Sequence, residues 1–177
     1  MIALFTDYGH RGPYVGQVMA VLRREAPDVA IVPLISDAPC FQPQAAAYLL
    51  AACAPEFPRG SVFLCVIDPG VGTDRGAGAL RAAGRWYVGP DNGLFEIVIR
   101  RAQRADWWPL PRPAQRLSAT FHGRDWFAPA AARLARGSAP AGPRQSPAAL
   151  RRPAWPDDLA EIIYLDDFGN AMSGVRA

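Results

Sequence analysis

The sequence predicts an α/β fold in which a mostly parallel sheet is flanked by helices. Short apolar segments at Ile2–Phe5, Val29–Ile35 and Val62–Ile67 alternate with two longer segments of helical character. Strand, helix, strand, helix and strand at this spacing are typical of right-handed crossovers between parallel neighbours. The third segment is apolar throughout and lies between Gly60 and Pro69, which favours a strand buried on both faces.

The two helical segments differ in how they meet the rest of the protein. The first begins near Pro13 and ends before Pro27, and its apolar residues recur at helical spacing, at Val15, Val18, Met19, Leu22 and Ala26. The second, Gln44–Ala54, is apolar nearly all round. We therefore expect an amphipathic first helix and a second helix that is buried between layers.

The rest of the chain predicts more short elements. Trp86–Val88 is a strand, residues 105–113 form a strand and an irregular loop, and a later helix carries the apolar stripe Trp126, Phe127, Ala130 and Leu134. Near the end, Glu161–Leu165 is a strand that leads into a turn.

These elements predict three regions. Residues 1–138 form an N-terminal α/β domain, and residues 139–158 form a Pro-rich linker with no core-forming pattern. Residues 159–177 begin a C-terminal β domain that is incomplete, because one strand and a turn cannot bury a hydrophobic face. We expect this last region to pair with the first domain, to pair with another subunit, or to be the start of a truncated domain, one that this chain does not complete.

The charged residues exclude two classes of enzyme. All 19 basic residues are arginine, which excludes Schiff-base chemistry on lysine and the lysine of a P-loop. The formal net charge is +3. The basic run Arg100, Arg101, Arg104, Arg112 and Arg116 lacks a recognised motif. We therefore expect no nucleic-acid partner.

Cysteine usage and hydropathy predict a cytoplasmic protein. Cys40, Cys53 and Cys65 are too widely spaced for a zinc motif and lie in apolar stretches, which favours reduced thiols. No apolar run approaches the roughly 18 residues that span a bilayer, and the first strand ends too early for a signal peptide. We expect no membrane partner.

The loop after the third strand is the first candidate site. Asp68 follows the strand directly, at the position where open α/β sheets place their chemistry. Pro69, Gly70 and Gly72 predict a tight turn that brings Arg75 back toward this carboxylate. The loop is therefore suited to holding a small ligand.

Three other positions are candidate functional sites, and each also has a simpler structural explanation. Asp7, in a strand-to-helix loop, accepts both hydroxyls of a ribose or caps a turn. The loop Gly89–Gly93, with Asn92, binds a ligand or is a plain turn, and alone the turn is the simpler explanation. His122, just before a helix, is catalytic or structural, and with only His10 besides it gives no case for a metal.

Six motifs, in order and over nearly the whole chain, resemble the S-adenosyl-L-methionine (SAM) hydroxide adenosyltransferase family, the SAM hydrolases related to fluorinase and chlorinase. They are Phe5–Gly9, Tyr14–Gly16, Asp68–Thr73, Gly89–Phe95, Thr120–Asp125 and Phe168–Asn170. The resemblance implies an α/β N-terminal domain and a C-terminal β-barrel. It also implies a homotrimer whose active sites lie between the N-terminal domain of one subunit and the C-terminal domain of the next.

The resemblance implies hydrolysis of SAM to adenosine and L-methionine, with Asp68, Arg75 and His122 holding the water that attacks C5′ of the ribose. Displacement from a sulfonium releases a neutral thioether, so the leaving group needs no general acid. A carboxylate kept ionised by Arg75 polarises the water, and His122 directs it. We expect neither a metal nor an organic cofactor.

The resemblance also assigns the substrate-binding residues. Asp7 corresponds to the ribose-binding carboxylate, Asn92 lies in the matched second loop, and Phe168 and Asn170 correspond to the adenine-binding stretch. Gly12 departs from the pattern, because many relatives carry an Asp there that meets the amino-acid end of SAM.

Two alternatives stay open. Only seven residues follow Asn170, and a chain that stops there would lack one wall of the adenine pocket, which favours impaired activity or a non-catalytic adenosine- or SAM-binding protein. Halide-dependent cleavage of SAM is the other alternative, and Asp68 argues against it because a carboxylate repels an anion.

Overall fold

The computed structural model describes residues 1–114 and 117–176. Arg116 of the basic run and Ala177 of the predicted C-terminal region lie outside these residues. The strands are β1 (Ile2–Thr6), β2 (Ile31–Ile35), β3 (Val62–Val66), β4 (Ala77–Ala82), β5 (Arg85–Pro90), β6 (Ala105–Pro109), β7 (Leu159–Leu165) and β8 (Ala171–Gly174). The first six form one sheet in the order β2-β1-β3-β5-β4-β6, and β7 and β8 form a hairpin.

Helices cover both faces of this sheet. They are α1 (Tyr14–Glu25), α2 (Pro43–Cys53), α3 (Glu96–Arg101) and α4 (Ala128–Ala135), and a π-helical turn at Gly123–Phe127 leads into the last. The helices α2 and α3 pack on the face that carries Phe5 and Phe63, whereas α1 and α4 pack on the face of Leu4 and Leu64. No helix in the described part of the chain is long and apolar enough to cross a membrane.

The parallel core of the sheet confirms the predicted α/β class. The strand β1 pairs in parallel with β2 and β3, and β3 pairs in parallel with β5. Every residue of β1 and of β3 is buried, because both faces are covered. As a result the carboxyl ends of β1 and β3 lie side by side at one edge of the sheet.

The strand β4 is absent from the sequence prediction. It pairs antiparallel with β5 and with β6, and a two-residue turn with positive φ at Ala83 and Gly84 joins it to β5. Its alanines and glycine have low strand propensity. The structure nevertheless requires a small residue at Gly78, because a Cβ there would clash with the ring of Trp107.

Part of the Pro-rich region packs on the domain, contrary to the expectation that it has no core-forming pattern. Leu150, in a short 3₁₀ turn, is buried in the core beside α2 and α3. Gln145 forms an isolated antiparallel bridge with Trp107. The region is held to the sheet although its composition is that of a linker.

The C-terminal hairpin packs on the same domain. Leu159 and Ile163 of β7 are buried in the core cluster that includes α2, and the Tyr164 hydroxyl donates to Asp37 at 3.2 Å. Three arrangements were expected for this region. In the structure it packs against the first domain. The division into three regions at 138 and 158 stays a prediction.

A buried carboxylate ties the Pro-rich region to α3. The Glu96 side chain is 0% exposed and accepts hydrogen bonds from Arg100 Nη2 at 2.7 Å, Arg151 Nε at 3.1 Å and the Arg152 backbone N–H at 2.9 Å. Burial alone raises the pKa of Glu96, but the hydrogen bonds from Arg100, Arg152 and Arg151 outweigh it, and the pKa is lowered. The carboxylate is therefore ionised and fully bonded at neutral pH.

We predict that Glu96→Gln lowers the free energy of unfolding by about 3 kcal/mol at pH 7, because it removes one partner of a buried ion pair. A lowered pKa means that this stabilisation is present above the ordinary glutamate pKa of 4.5 and is lost as the pH falls below it. Urea unfolding of both proteins as a function of pH measures the difference, which should shrink as the pH falls below 4.5. The exposed Glu56→Gln is the control, expected within about 0.5 kcal/mol of the wild type. A deficit in Glu96→Gln that stays constant with pH would contradict this account.

Candidate active site

Two carboxylates meet at the edge where β1 and β3 end. Asp7 follows β1 directly, and Asp68 lies two residues beyond β3. The strands are in register, with Thr6 opposite Val66, and the Asp7 N–H donates to the Val66 carbonyl at 3.3 Å. The two loops meet at one edge because their strands pair in parallel.

Arg75 donates two hydrogen bonds to the Asp68 carboxylate. Arg75 Nε donates to Asp68 Oδ1 at 2.8 Å, and Nη2 donates to Oδ2. The side chains are only 10% and 4% exposed. A bidentate guanidinium–carboxylate pair with so little solvent exposure is strong and directional, so the orientation of the carboxylate is fixed.

The turn between these residues depends on glycine. Gly72 has φ +85°, and a Cβ there would lie 2.5 Å from the Ala119 carbonyl oxygen. Thr73 closes the turn by donating its hydroxyl to the Gly70 carbonyl at 2.7 Å. The loop that carries Arg75 therefore lies directly against the loop that precedes His122.

Aromatic rings hold the guanidinium of Arg75 from the other side. Its Cζ atom lies 5.1 Å from the ring centre of Phe127 and 5.8 Å from that of Trp126. Both rings belong to the π-helical turn before α4. Cation–π contacts of this kind favour a charged side chain in a position with little water.

His122 is joined to the same arginine. Arg75 Nη2 lies 3.0 Å from His122 Nδ1, and because a guanidinium can only donate, Nδ1 accepts. Burial, and next the charge of Arg75, lower the pKa of His122 from its ordinary 6.5. We therefore assign a neutral imidazole at pH 7 whose proton is on Nε2, where it is a hydrogen-bond donor.

A cavity of ≈ 280 Å³ opens beside these groups. Its polar lining includes Asp7, Asp68 and His122. Its apolar lining includes the edge-to-face cluster of Tyr8 and Tyr14 with Phe121, whose ring centres lie 5.3–5.7 Å apart. Carboxylates next to aromatic faces suit a ligand that is planar in one part and hydroxylated or charged in another.

Asp7 presents its carboxylate to this cavity. Its Oδ2 accepts from the Phe41 backbone N–H at 3.0 Å, at a residue held in the left-handed region with φ 56°. Burial raises the pKa of Asp7, and the charge of Asp68 raises it further, against the lowering effect of the Phe41 hydrogen bond. Hydroxyl donors from a ligand would relieve this desolvation.

Three of the four predicted substrate-binding residues lie outside the cavity. Asn92 donates to the Ile67 carbonyl at 2.8 Å and accepts from the Leu94 N–H at 3.2 Å, so its amide links the loop after β5 to the end of β3. Phe168 is 92% exposed on the hairpin turn, and Asn170 donates to Asp166 at 2.7 Å. Their roles as substrate contacts stay predictions.

Tyr8 is a cavity residue that the sequence analysis did not single out. Its hydroxyl is buried and, among the described residues, has no hydrogen-bond partner. It lies against the Cα of Gly123, where a Cβ would clash with it. Burial raises the pKa of Tyr8, and the charges of Asp7 and Asp68 raise it further, so the hydroxyl stays protonated. Its place next to Asp7 in the first matched motif was the available signal.

Comparison with known proteins identifies the family. The family model described as the SAM hydroxide adenosyltransferase N-terminal domain matches residues 2–142. A curated protein of Thermus thermophilus named (R)-S-adenosyl-L-methionine hydrolase is 42% identical, over 97% of this chain and 73% of its own length. A protein of Salinispora arenicola with the same name is 40% identical over 97% of this chain and 70% of its own length.

Two solved structures share the fold of this chain. A conserved protein from Thermotoga maritima, described as uncharacterized, superposes with a TM-score of 0.87 and 30% identity, over 98% of this chain and 70% of that one. A conserved hypothetical protein from Thermus thermophilus gives a TM-score of 0.74 and 38% identity, over 98% of this chain and 72% of that one. The resemblance carried by the six motifs is thus confirmed, and the chain belongs to the SAM hydroxide adenosyltransferase family.

Proposed function

We propose that this protein hydrolyses SAM to adenosine and L-methionine. The single observation that carries the proposal is the chain of contacts from Asp68 through Arg75 to His122, at 2.8 and 3.0 Å, beside a cavity. It occurs in a chain whose curated relatives are named SAM hydrolases. Those names specify the (R) sulfonium epimer, so SAM containing that epimer is the substrate to test.

The reaction needs a directed water more than it needs an acid. In the proposed step the water oxygen forms a bond to C5′ while the C5′–S bond breaks, and the sulfur keeps the electron pair as a neutral thioether. The water proton passes to Asp68. Because the sulfonium charge disappears in the transition state, a site that excludes bulk water favours the step.

Each direction around the attacking water has a candidate partner. The water donates one proton to Asp68 and accepts a hydrogen bond from His122 Nε2–H. Its second O–H, which it keeps, donates a hydrogen bond to the Tyr8 hydroxyl oxygen, and this leaves one lone pair free to attack C5′. Three fixed contacts would hold that lone pair in line with the breaking bond, as in-line displacement requires.

The ribose and the adenine are assigned to separate parts of the chain. We propose that the Asp7 carboxylate accepts hydrogen bonds from the two ribose hydroxyls. Within the described residues, the Phe41 N–H donates only to its Oδ2. Phe168 and Asn170 would meet the adenine of a molecule bound to a neighbouring subunit. Their exposure on the hairpin supports this assignment.

We predict that Asp68→Asn lowers the turnover of SAM by about 100-fold or more, in the range that removal of a general base shows. Chromatography of adenosine released from SAM measures it. Asp74→Asn is the matched control, because Asp74 lies in the same loop with its side chain fully exposed, and its turnover should match the wild type. Wild-type protein that binds adenosine but releases none from SAM would instead favour the non-catalytic alternative.

We predict that Tyr8→Phe lowers turnover about tenfold without lowering stability. The variant loses one hydrogen bond to the attacking water, whereas the free protein loses only a buried hydroxyl that has no partner. Steady-state kinetics and urea unfolding test the two halves. Tyr48→Phe is the control for stability, because the Tyr48 hydroxyl donates to the Pro156 carbonyl and its removal should cost about 1 kcal/mol. Unchanged turnover in Tyr8→Phe would remove Tyr8 from the mechanism.

We also propose a homotrimer that covers the C-terminal hairpin. Five of the eight large apolar side chains that are exposed in the described residues lie between 162 and 175, Phe168 among them. Apolar side chains concentrated in this way are typical of a surface that another protein surface covers.

We predict by light scattering a mass three times the 19.1 kDa of one chain. Phe168→Ser should shift the protein toward the monomer and raise the KM for SAM, because the residue would be lost from both the interface and the adenine site. Asp167→Ser, its exposed neighbour in the same turn, should do neither. A fully active monomer at assay concentration would contradict the shared site.

A further inference from the structure

A second cavity lies at the opposite edge of the sheet from Asp7 and Asp68. It occupies ≈ 710 Å³ between the turn that joins β4 to β5 and the loop that joins α3 to β6. Both of these connections lie where the parallel strands begin, whereas the candidate active site lies where they end. The groove is therefore separate from the site proposed for SAM.

Arginine dominates the lining of this groove. Five arginines face it, with Asp106 as the one acidic residue in the described lining. Asp106 accepts from Arg144 at 3.0 Å and from Arg104 at 3.3 Å, so one carboxylate serves two cations. The other three, Arg59, Arg81 and Arg101, make no ion pair within residues 1–114 and 117–176.

Two of these unpaired arginines are exposed and lie against neighbouring groups. The Arg81 guanidinium lies 5.5 Å from the ring centre of Trp86, which in turn contacts Trp108 at 5.1 Å. Arg59 lies against the turn at Gly84, where a Cβ would come within 2.7 Å of its Cζ atom. Guanidinium groups positioned in advance lose less entropy when an anion binds.

The third arginine, Arg101, is exposed. Partial burial of its side chain, followed by the charge of Arg176, lowers its pKa, against the raising effect of Asp158 and Asp157. A bound anion would offset both the desolvation and the repulsion. The Trp108 ring also lines the groove and offers a flat apolar surface beside the arginines, a combination that nucleotide-binding surfaces use.

We propose that this groove binds a small ligand that carries two or more linked phosphate groups. Arginine forks bind phosphate oxygens in pairs, and linked phosphates engage several forks at once. The volume lies within the range of small-molecule sites. The ligand class is the polyphosphate itself, free or as part of a nucleotide.

Calorimetric titration of the purified chain tests this proposal. The probes are inorganic tripolyphosphate and uridine triphosphate. Uridine is used in place of adenosine so that the base does not also bind in the cavity proposed for SAM. We expect both to bind the wild type, more weakly as salt rises, and at least about tenfold more weakly to the double variant Arg81→Gln, Arg101→Gln. The control Arg23→Gln, Arg133→Gln removes two exposed charges elsewhere and should bind as the wild type does. Tighter binding of uridine triphosphate than of tripolyphosphate identifies a nucleotide, and equal binding identifies the polyphosphate alone.

Three results would overturn it. These are no binding of either probe, equal losses in the two double variants, or binding of a single-stranded RNA oligonucleotide without binding of tripolyphosphate. The last would make the groove a nucleic-acid surface. SAM turnover of the groove variants should equal that of the wild type, so the proposed hydrolysis stands or falls separately.

Discussion

The contact between Arg75 and Asp68 is the interaction on which the site depends. The residues are seven apart, and the guanidinium reaches both carboxylate oxygens because the intervening turn doubles back on glycine. The same guanidinium donates to His122 and rests on the ring of Phe127. One side chain therefore sets the direction of the carboxylate, the tautomer of the imidazole and the docking of the helix that carries it.

Within residues 1–114 and 117–176, two buried carboxylates are bound by arginine, and their surroundings give them different roles. At Glu96 every donor comes from the protein, and the carboxylate joins α3 to the Pro-rich region. At Asp68 the arginine takes one edge of the carboxylate while the cavity adjoins the rest. Removing the Glu96 carboxylate is therefore expected to lower stability alone, whereas removing the Asp68 carboxylate is expected to lower turnover in addition to breaking a buried ion pair.

Much of the sheet and part of the site could be predicted from the sequence. Alternating apolar and helical segments predict the parallel strands, and the abrupt end of an apolar run predicts the place of Asp68. The strand β4 could not be predicted, because its small residues do not favour a strand. The need for a small residue at Gly78 arises from the ring of Trp107, which lies over it only in the folded protein. Tyr8 was missed for the same kind of reason, since Gly123, which makes room for its hydroxyl, is distant in sequence and close only after folding.

The close approach of Gly72 to Ala119 bears on how this scaffold can be re-engineered. The two loops touch across a gap that admits a hydrogen atom and no methyl group. Neither can be transplanted from a homologue by itself unless the incoming sequence keeps that gap, because a wedge at this point would separate the imidazole from the guanidinium. The loops form a single exchangeable module, although the chain presents them as two distant segments.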